Sequence, residues 1–137
     1  MLDKNQIYLL GIGGIGMSAL ARYFHQKGCK VAGYDRVAGP LCEKLEAEGI
    51  SIHYQDNPEL IPRKFGPAST LVIYTPAIPS DLSEWKFLQE QGYVIQKRSS
   101  VLGKIAAQHR CLAIAGTHGK TTISALLAHI LRYAGTP

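Results

Sequence analysis

Ile7-Tyr8-Leu9-Leu10-Gly11-Ile12-Gly13-Gly14-Ile15-Gly16-Met17 is the stretch whose reading decides the fold. Ile7 to Leu10 is a continuous apolar run that stops in glycines, as a strand buried on both faces would. Met17, Leu20, Ala21 and Phe24 then recur at i, i+3, i+4 and i+7, which marks one buried face of a helix. Lys27 and Gly28 close that helix with a cation and a C-terminal glycine. Between strand and helix the glycines have the spacing G-x-G-x-x-G, and Asp35 stands about twenty residues further on, at the end of the next apolar run. This order places a pyrophosphate at the helix N-terminus: Gly11 permits a tight turn, Gly13 lets the ligand approach the backbone, and Gly16 lets helix and strand pack closely. The rest of the ligand stays open, and a nicotinamide dinucleotide is one candidate.

The pattern continues outward from this unit. Lys30 to Tyr34 reads as a second strand, Pro40 to Gly49 as a helix opened by proline and stopped by glycine, and Ile50 to Tyr54 as a short third strand. Asp56 to Ser69 carries three prolines and a glycine and reads as loop with at most a helical turn. Leu71 to Tyr74 is a central strand, after which Thr75-Pro76-Ala77-Ile78-Pro79 must turn out of the sheet. A helix over Ser83–Gln91, a strand over Val94–Gln96 and a helix capped by Ser99 or Ser100 complete the series. Strands alternating with helices imply an α/β fold, a Rossmann-like doubly wound parallel sheet with right-handed crossovers.

A second phosphate signal lies near the end of the chain. Cys111 to Ala115 reads as a strand leading into Gly116-Thr117-His118-Gly119-Lys120-Thr121-Thr122, and an amphipathic helix follows. Strand, glycine loop, Lys-Thr and helix is the order of a loop whose backbone N–H groups wrap phosphates. In such a loop the lysine neutralises charge and the hydroxyl ligates Mg²⁺. The common form G-x-x-x-x-G-K-[ST] would need a glycine where Ile114 stands, so this loop is shorter.

Bulk properties narrow the field. The chain has 137 residues, a hydrophobic share of 46%, a charged share of 18% and a net charge of +5, the balance of a globular domain and not of a disordered segment. Its basic residues are scattered and its aromatic residues dispersed, which argues against a nucleic-acid partner. Cys29, Cys42 and Cys111 show no metal-ligand spacing and read as buried reduced thiols. The uncharged run from Ile7 to Ala21 is too short and too rich in glycine to span a membrane, and no secretory signal precedes it. The expected compartment is the cytoplasm.

The residues Gly11-Ile-Gly-Gly-Ile-Gly-Met17, Gly33-Tyr-Asp35, Thr75-Pro-Ala-Ile78, Arg98 and Ala115-Gly-Thr-His-Gly-Lys-Thr-Thr122 together resemble the Mur ligase family, the ATP-dependent amide-forming enzymes of peptidoglycan synthesis. They extend over nearly the whole chain in the family's order, and the shortened G-T-x-G-K-[ST] loop belongs to that family and its relatives. Within the family, His118 and the glycine-rich start point to the branch that joins L-alanine to UDP-N-acetylmuramate, with the muropeptide-recycling branch as the alternative. Two places depart from the family pattern: Ser100 stands where an acid is common, and Pro76 where a small residue is common.

The resemblance implies two parts: a UDP-sugar-binding domain over residues 1–107, and the truncated start of a central ATP-binding domain over residues 108–137. It reads the chain as an N-terminal fragment that binds the UDP-sugar without ligase activity of its own. By the same resemblance, Gly11, Gly13, Gly14, Ile15, Gly16 and Met17 hold the sugar nucleotide with Asp35, Thr75, Pro76, Ala77 and Arg98. ATP and Mg²⁺ are the implied cofactors. Gly116, Thr117, His118, Gly119, Lys120, Thr121 and Thr122 line the ATP site, Lys120 serves the phosphoryl step, and Thr121 ligates Mg²⁺. UDP-N-acetylmuramate and L-alanine are the implied partners. The apolar stripe Ile123, Leu126, Leu127, Ile130, Leu131 and Ala134 should find cover, on the first domain or by dimerisation through the helix 120–134. Two readings from other classes are an NAD(P)-dependent oxidoreductase domain, which leaves Lys120-Thr121 unexplained, and a regulatory nucleotide-binding module without chemistry.

Overall fold

Five parallel strands carry the fold. The computed structural model describes residues 4–135, and the chain divides after Ile105 into two compact units. In the first unit the strands are β1 (Gln6–Leu10), β2 (Lys30–Tyr34), β3 (Ser51–His53), β4 (Thr70–Tyr74) and β5 (Val94–Lys97). The spatial order is β3-β2-β1-β4-β5. β1 is central because it is apolar on both faces: it pairs with β2 from Gln6–Lys30 to Leu10–Tyr34, and with β4 from Gln6–Thr70 to Leu10–Tyr74. Successive side chains of a strand point to opposite faces, and the two cores divide accordingly. Ile7, Leu9, Leu71 and Ile73 pack with Met17, Leu20, Ala21, Phe24, Leu45, Val101 and Ile105. Tyr8, Leu10, Val72 and Ala32 pack with Ile61, Phe65, Leu82 and Leu88 on the other side.

The helices are α1 (Ile15–Gln26), α2 (Pro40–Ala47), α3 (Ser83–Glu90) and α4 (Arg98–Ala106), with a single 3₁₀ turn at Pro58–Leu60. Pro40 stands in the first turn of α2, as expected. α4 begins at Arg98, directly after β5. Ser99 and Ser100 therefore lie inside the helix and do not cap it. The chain steps from β2 outward to β3, then crosses to the other side of β1, so the strand order reverses between β1 and β4. Ligands of doubly wound sheets sit at the carboxyl ends of the strands at such a reversal.

The second unit contains α5 (Lys120–Tyr133). The strand expected over Cys111–Ala115 is not formed; those residues have no regular structure. A strand exists through its ladder partners, and the described residues of this unit provide none. No residue of α5 is buried, and Ile123, Leu126 and Ile130 are exposed. The cysteine reading also needs correction: Cys42 is buried, but Cys29 is half-buried and Cys111 exposed. Among the described residues, no helix is long and apolar enough to cross a membrane.

A polar knot lies within the second core. The Tyr8 hydroxyl donates to Glu84 Oε2 at 2.5 Å and meets His53 Nε2 at 2.8 Å. His53 Nε2 lies 3.4 Å from Glu84 Oε1, which accepts from the Asn57 N–H. Asp56 in turn accepts from the N–H groups of Ser83 and Glu84 at the start of α3. Glu84 has no exposed surface. Burial pushes its carboxyl from 4.5 up to about 7, against the opposing hydrogen bond from Tyr8. Burial likewise lowers His53 below its ordinary 6.5.

Folded Glu84 thus holds a proton that the unfolded chain releases. Its contribution to stability is complete below pH 4.5 and is lost as the pH rises through 7. Glu84→Gln removes this loss. Urea unfolding at several pH values should show the variant gaining on the wild type between pH 5 and pH 8, by on the order of 3 kcal/mol at most. Parallel curves for the two proteins would contradict the assignment.

Candidate functional site: a glycine-lined cleft at the strand reversal

At the carboxyl ends of β1, β2 and β4 lies an open cleft of ≈ 460 Å³. Gly11, Gly13 and Gly14 form one wall, Tyr34, Asp35, Val37 and Cys42 a second, and Thr75, Ala77 and Ile78 a third. Its place follows from the fold, since the β1–α1 turn and the β4–α3 turn meet where the strand order reverses. The Thr75 side chain closes over the first glycine: a Cβ on Gly11 would stand 3.3 Å from Thr75 Cγ2. Gly11 itself has φ +81°, a conformation that side chains disfavour.

The turn spends its first backbone donors on its own architecture. Gly11 and Ile12 both donate to the Tyr34 carbonyl, at 2.8 and 3.1 Å. Gly13 donates to Asp35 Oδ2 at 2.7 Å, and the other carboxylate oxygen accepts from the Val37 N–H at 3.1 Å. Gly14 bonds weakly back to the Gly11 carbonyl at 3.3 Å and is the N-cap of α1. The first intrahelical bond runs from Ser18 to Gly14. The N–H groups of Ile15, Gly16 and Met17 precede it, have no intrahelical acceptor and receive no side-chain cap. Such donors at a helix start, together with the helix dipole, suit an anion; the three follow Gly14, which lines the cleft, but are not themselves among its lining residues.

Several expected residues are placed differently from one another. Asp35, Thr75 and Ala77 line the cleft with the glycines. The Met17 side chain is buried in the first core and that of Ile15 is 84% exposed; neither they nor Gly16 are among the residues that line the cleft. Pro76 stands outside the lining residues. Arg98 lies instead against α1, in a small apolar groove with Gly16, Leu20, Tyr23 and Leu102. A Cβ on Gly16 would stand 2.5 Å from Arg98 Nη1. The third glycine thus makes room for a guanidinium and not for a strand. Tyr34, Val37, Gly39, Cys42 and Ile78 were not anticipated as lining residues. Tyr34 and Arg36, which also lines the cleft, flank Asp35 in the sequence, which was a usable signal; nothing in the sequence marked Cys42. Burial raises the pKa of the Cys42 thiol and so disfavours the thiolate, which leaves Asp35 the anionic side chain in the lining.

The second unit holds the Lys-Thr loop. Gly119 caps α5 in the left-handed conformation, φ +76°. The Lys120 ammonium donates to the carbonyls of Gly116 and Thr117, at 2.5 and 3.2 Å. The Ile123 N–H closes on the Gly119 carbonyl at 3.0 Å. Lys120, Thr121 and Thr122 form the uncapped first turn of α5, which suits an anion on the same grounds as α1.

Fold and sequence together define a doubly wound parallel α/β sheet followed by a short Gly-Lys-Thr loop and helix. The chain belongs to the Mur ligase family: residues 6–110 match that family's catalytic domain. It is 51% identical, over 93% of its length, to a UDP-N-acetylmuramate–L-alanine ligase of Porphyromonas gingivalis, covering 28% of that protein. To the corresponding ligase of Flavobacterium johnsoniae it is 52% identical over 98% of the chain and 30% of the relative. Among solved structures it is similar to UDP-N-acetylmuramate–alanine ligase MurC from Thermotoga maritima. The TM-score is 0.83 at 30% identity, over 94% of this chain and 29% of that one. A similar likeness, TM-score 0.82 at 28% identity over 95% of this chain and 40% of that one, joins it to the UDP-N-acetylmuramate:L-alanyl-γ-D-glutamyl-meso-diaminopimelate ligase from Neisseria meningitides. The chain spans under a third of the length of the curated relatives described here.

The cleft makes different demands on its glycines. A Cβ on Gly13 would fall 2.6 Å from Cys42 Sγ and 2.9 Å from Asp35 Oδ2, whereas one on Gly39 meets nothing within 4 Å. Gly13→Ala should cost about 1–3 kcal/mol through this overlap, and Gly39→Ala less than about 0.5 kcal/mol. Thermal melts of the two variants check the difference, and equal melting temperatures would contradict it.

Proposed function

We propose that this chain binds the nucleotide part of UDP-N-acetylmuramate in the glycine cleft, as the amino-terminal portion of a ligase that joins L-alanine to that sugar nucleotide in the cytoplasm during peptidoglycan synthesis. The observation that carries the reading is the pairing, in one chain, of a glycine turn at the β1–β4 reversal with the shortened Lys-Thr loop before α5. A hydride-transferring domain needs only the first. The names and identities of the curated relatives support the choice of L-alanine as the amine. The Neisseria meningitides structure keeps the muropeptide-recycling branch as the second reading.

In this reading the N–H groups of Ile15, Gly16 and Met17 hold the diphosphate, whose charge the α1 dipole favours. Thr75 and Ala77 close one wall, and the Tyr34–Val37 segment borders the nucleoside end. Arg98, beside the first turn of α1, adds a cation close to the anionic groups. In the phosphate loop, Lys120 would leave the carbonyls of Gly116 and Thr117 to meet the ATP phosphates, with Gly116, Thr117, His118, Gly119 and Thr122 shaping the loop. ATP supplies the activation that turns the sugar's carboxylate into an electrophile for the alanine amine. The donor set fits Mg²⁺ in part. Thr121 offers a hydroxyl, and no group of three or more His, Cys, Asp or Glu residues is assembled among the described residues. Thr121 would hold a Mg²⁺ ion there, with phosphate and water as the further ligands it would need.

Binding should therefore divide by ligand. Titration calorimetry on the 137-residue chain is expected to show saturable binding of UDP-N-acetylmuramate and none of NADH. Tight NADH binding without UDP-sugar binding would overturn the reading in favour of an oxidoreductase domain.

A further inference from the structure

We propose that Asp35 is a positioning residue, whose carboxylate latches the glycine turn to the β2–α2 loop and thereby aims the α1 N–H groups at the diphosphate. The inference rests on the cleft's being a diphosphate site and adds how that site is held in shape. An acid at the end of the second strand of such a sheet is ordinarily read through its contact with a ribose. Here both oxygens of Asp35 are already engaged, Oδ2 by the Gly13 N–H at 2.7 Å and Oδ1 by the Val37 N–H at 3.1 Å. Asp35 is itself anchored, because its N–H donates to the His53 carbonyl at 3.1 Å. The carboxylate thus ties the turn after β1 to the loop after β2, and the backbone N–H of the same residue ties both to the end of β3.

Gly13 is held between two side chains. Asp35 grips its N–H, and the buried Cys42 lies so close that no Cβ fits between them. The donors that face the ligand, on Ile15, Gly16 and Met17, begin two residues after Gly13. With the Gly13 N–H released, the turn keeps the two bonds to the Tyr34 carbonyl and the weak Gly14–Gly11 bond, which leaves the entry to α1 without its strongest tie. The same carboxylate is an anion beside an anion-binding helix end, so its Coulomb effect on a diphosphate is unfavourable. Latching and charge therefore predict opposite consequences when Asp35 is replaced.

Asp35→Ala and Asp35→Asn, each confirmed folded by near-ultraviolet circular dichroism, are titrated with UDP and with inorganic pyrophosphate. Latching predicts that Asp35→Ala weakens both ligands about tenfold. Asp35→Asn should weaken both by less, because its one carbonyl oxygen can still accept one of the two bonds. Pyrophosphate binding that is unchanged or tighter in the variants would overturn the proposal, leaving a charge effect or a nucleoside contact as the role of Asp35. Amide exchange in the unsubstituted chain tests the latch even where a variant does not fold. The Gly13 and Val37 amides should exchange far more slowly than those of Ile15 and Gly16, and exchange as fast as these would overturn it. Should the wild type bind neither ligand, the diphosphate reading of the cleft fails, and the exchange experiment still decides whether the latch exists.

Discussion

The first unit depends on how the chain leaves β1. Three successive N–H groups at that exit, on Gly11, Ile12 and Gly13, are bound by acceptors at the end of β2: the Tyr34 carbonyl twice and the Asp35 carboxylate once. These bonds fix the direction of α1 and hold the carboxyl ends of β1 and β2 in register with the cleft. They also decide which donors face outward. Because the N–H groups from Gly11 to Gly14 are engaged internally, the donors without an internal acceptor begin in the first turn of α1. An uncapped helix start is ordinarily a cost; in the proposed function it is the binding surface.

Much of this was legible because the informative signals are local. β1, α1, β2 and their glycine turn follow from apolar runs, helical spacing and glycines within thirty residues. The alternation of strands and helices implies a doubly wound sheet, and the structure places its reversal between β1 and β4. Asp35, Thr75 and Ala77 were identified by their places at strand ends, and those places put them in the cleft. What escaped the sequence depends on distant partners. Cys42 enters the cleft because α2 leans over Gly13. Arg98 leaves the cleft because α4 starts without a linker and lays its first side chain across Gly16.

The polar knot in the second core teaches the same lesson. Tyr8, His53 and Glu84 lie on three elements separated by dozens of residues. In the sequence nothing joins a tyrosine in an apolar run, a histidine and a glutamate so far apart. They meet only once α3, in the connection after β4, lays its first turn beside β1 and the end of β3, where burial raises the Glu84 carboxyl and Asp56 caps the start of α3. The run Cys111–Ala115 failed in the opposite direction. Its composition is that of a buried strand, but composition does not supply a neighbouring strand, and the run stays irregular.

The two phosphate loops differ in how much of a site surrounds them. The turn after β1 has three walls built by its own unit. The Lys-Thr loop has one helix and its own carbonyls, on which Lys120 rests. The account therefore puts nucleotide binding at the first. Amide chemical-shift mapping of the 137-residue chain with UDP tests this most directly. The largest shifts are expected at Ile15, Gly16 and Met17, smaller ones at Gly11 and Gly13, and none at Gly116–Thr122. Shifts confined to Gly116–Thr122, with Ile15–Met17 unmoved, would contradict it.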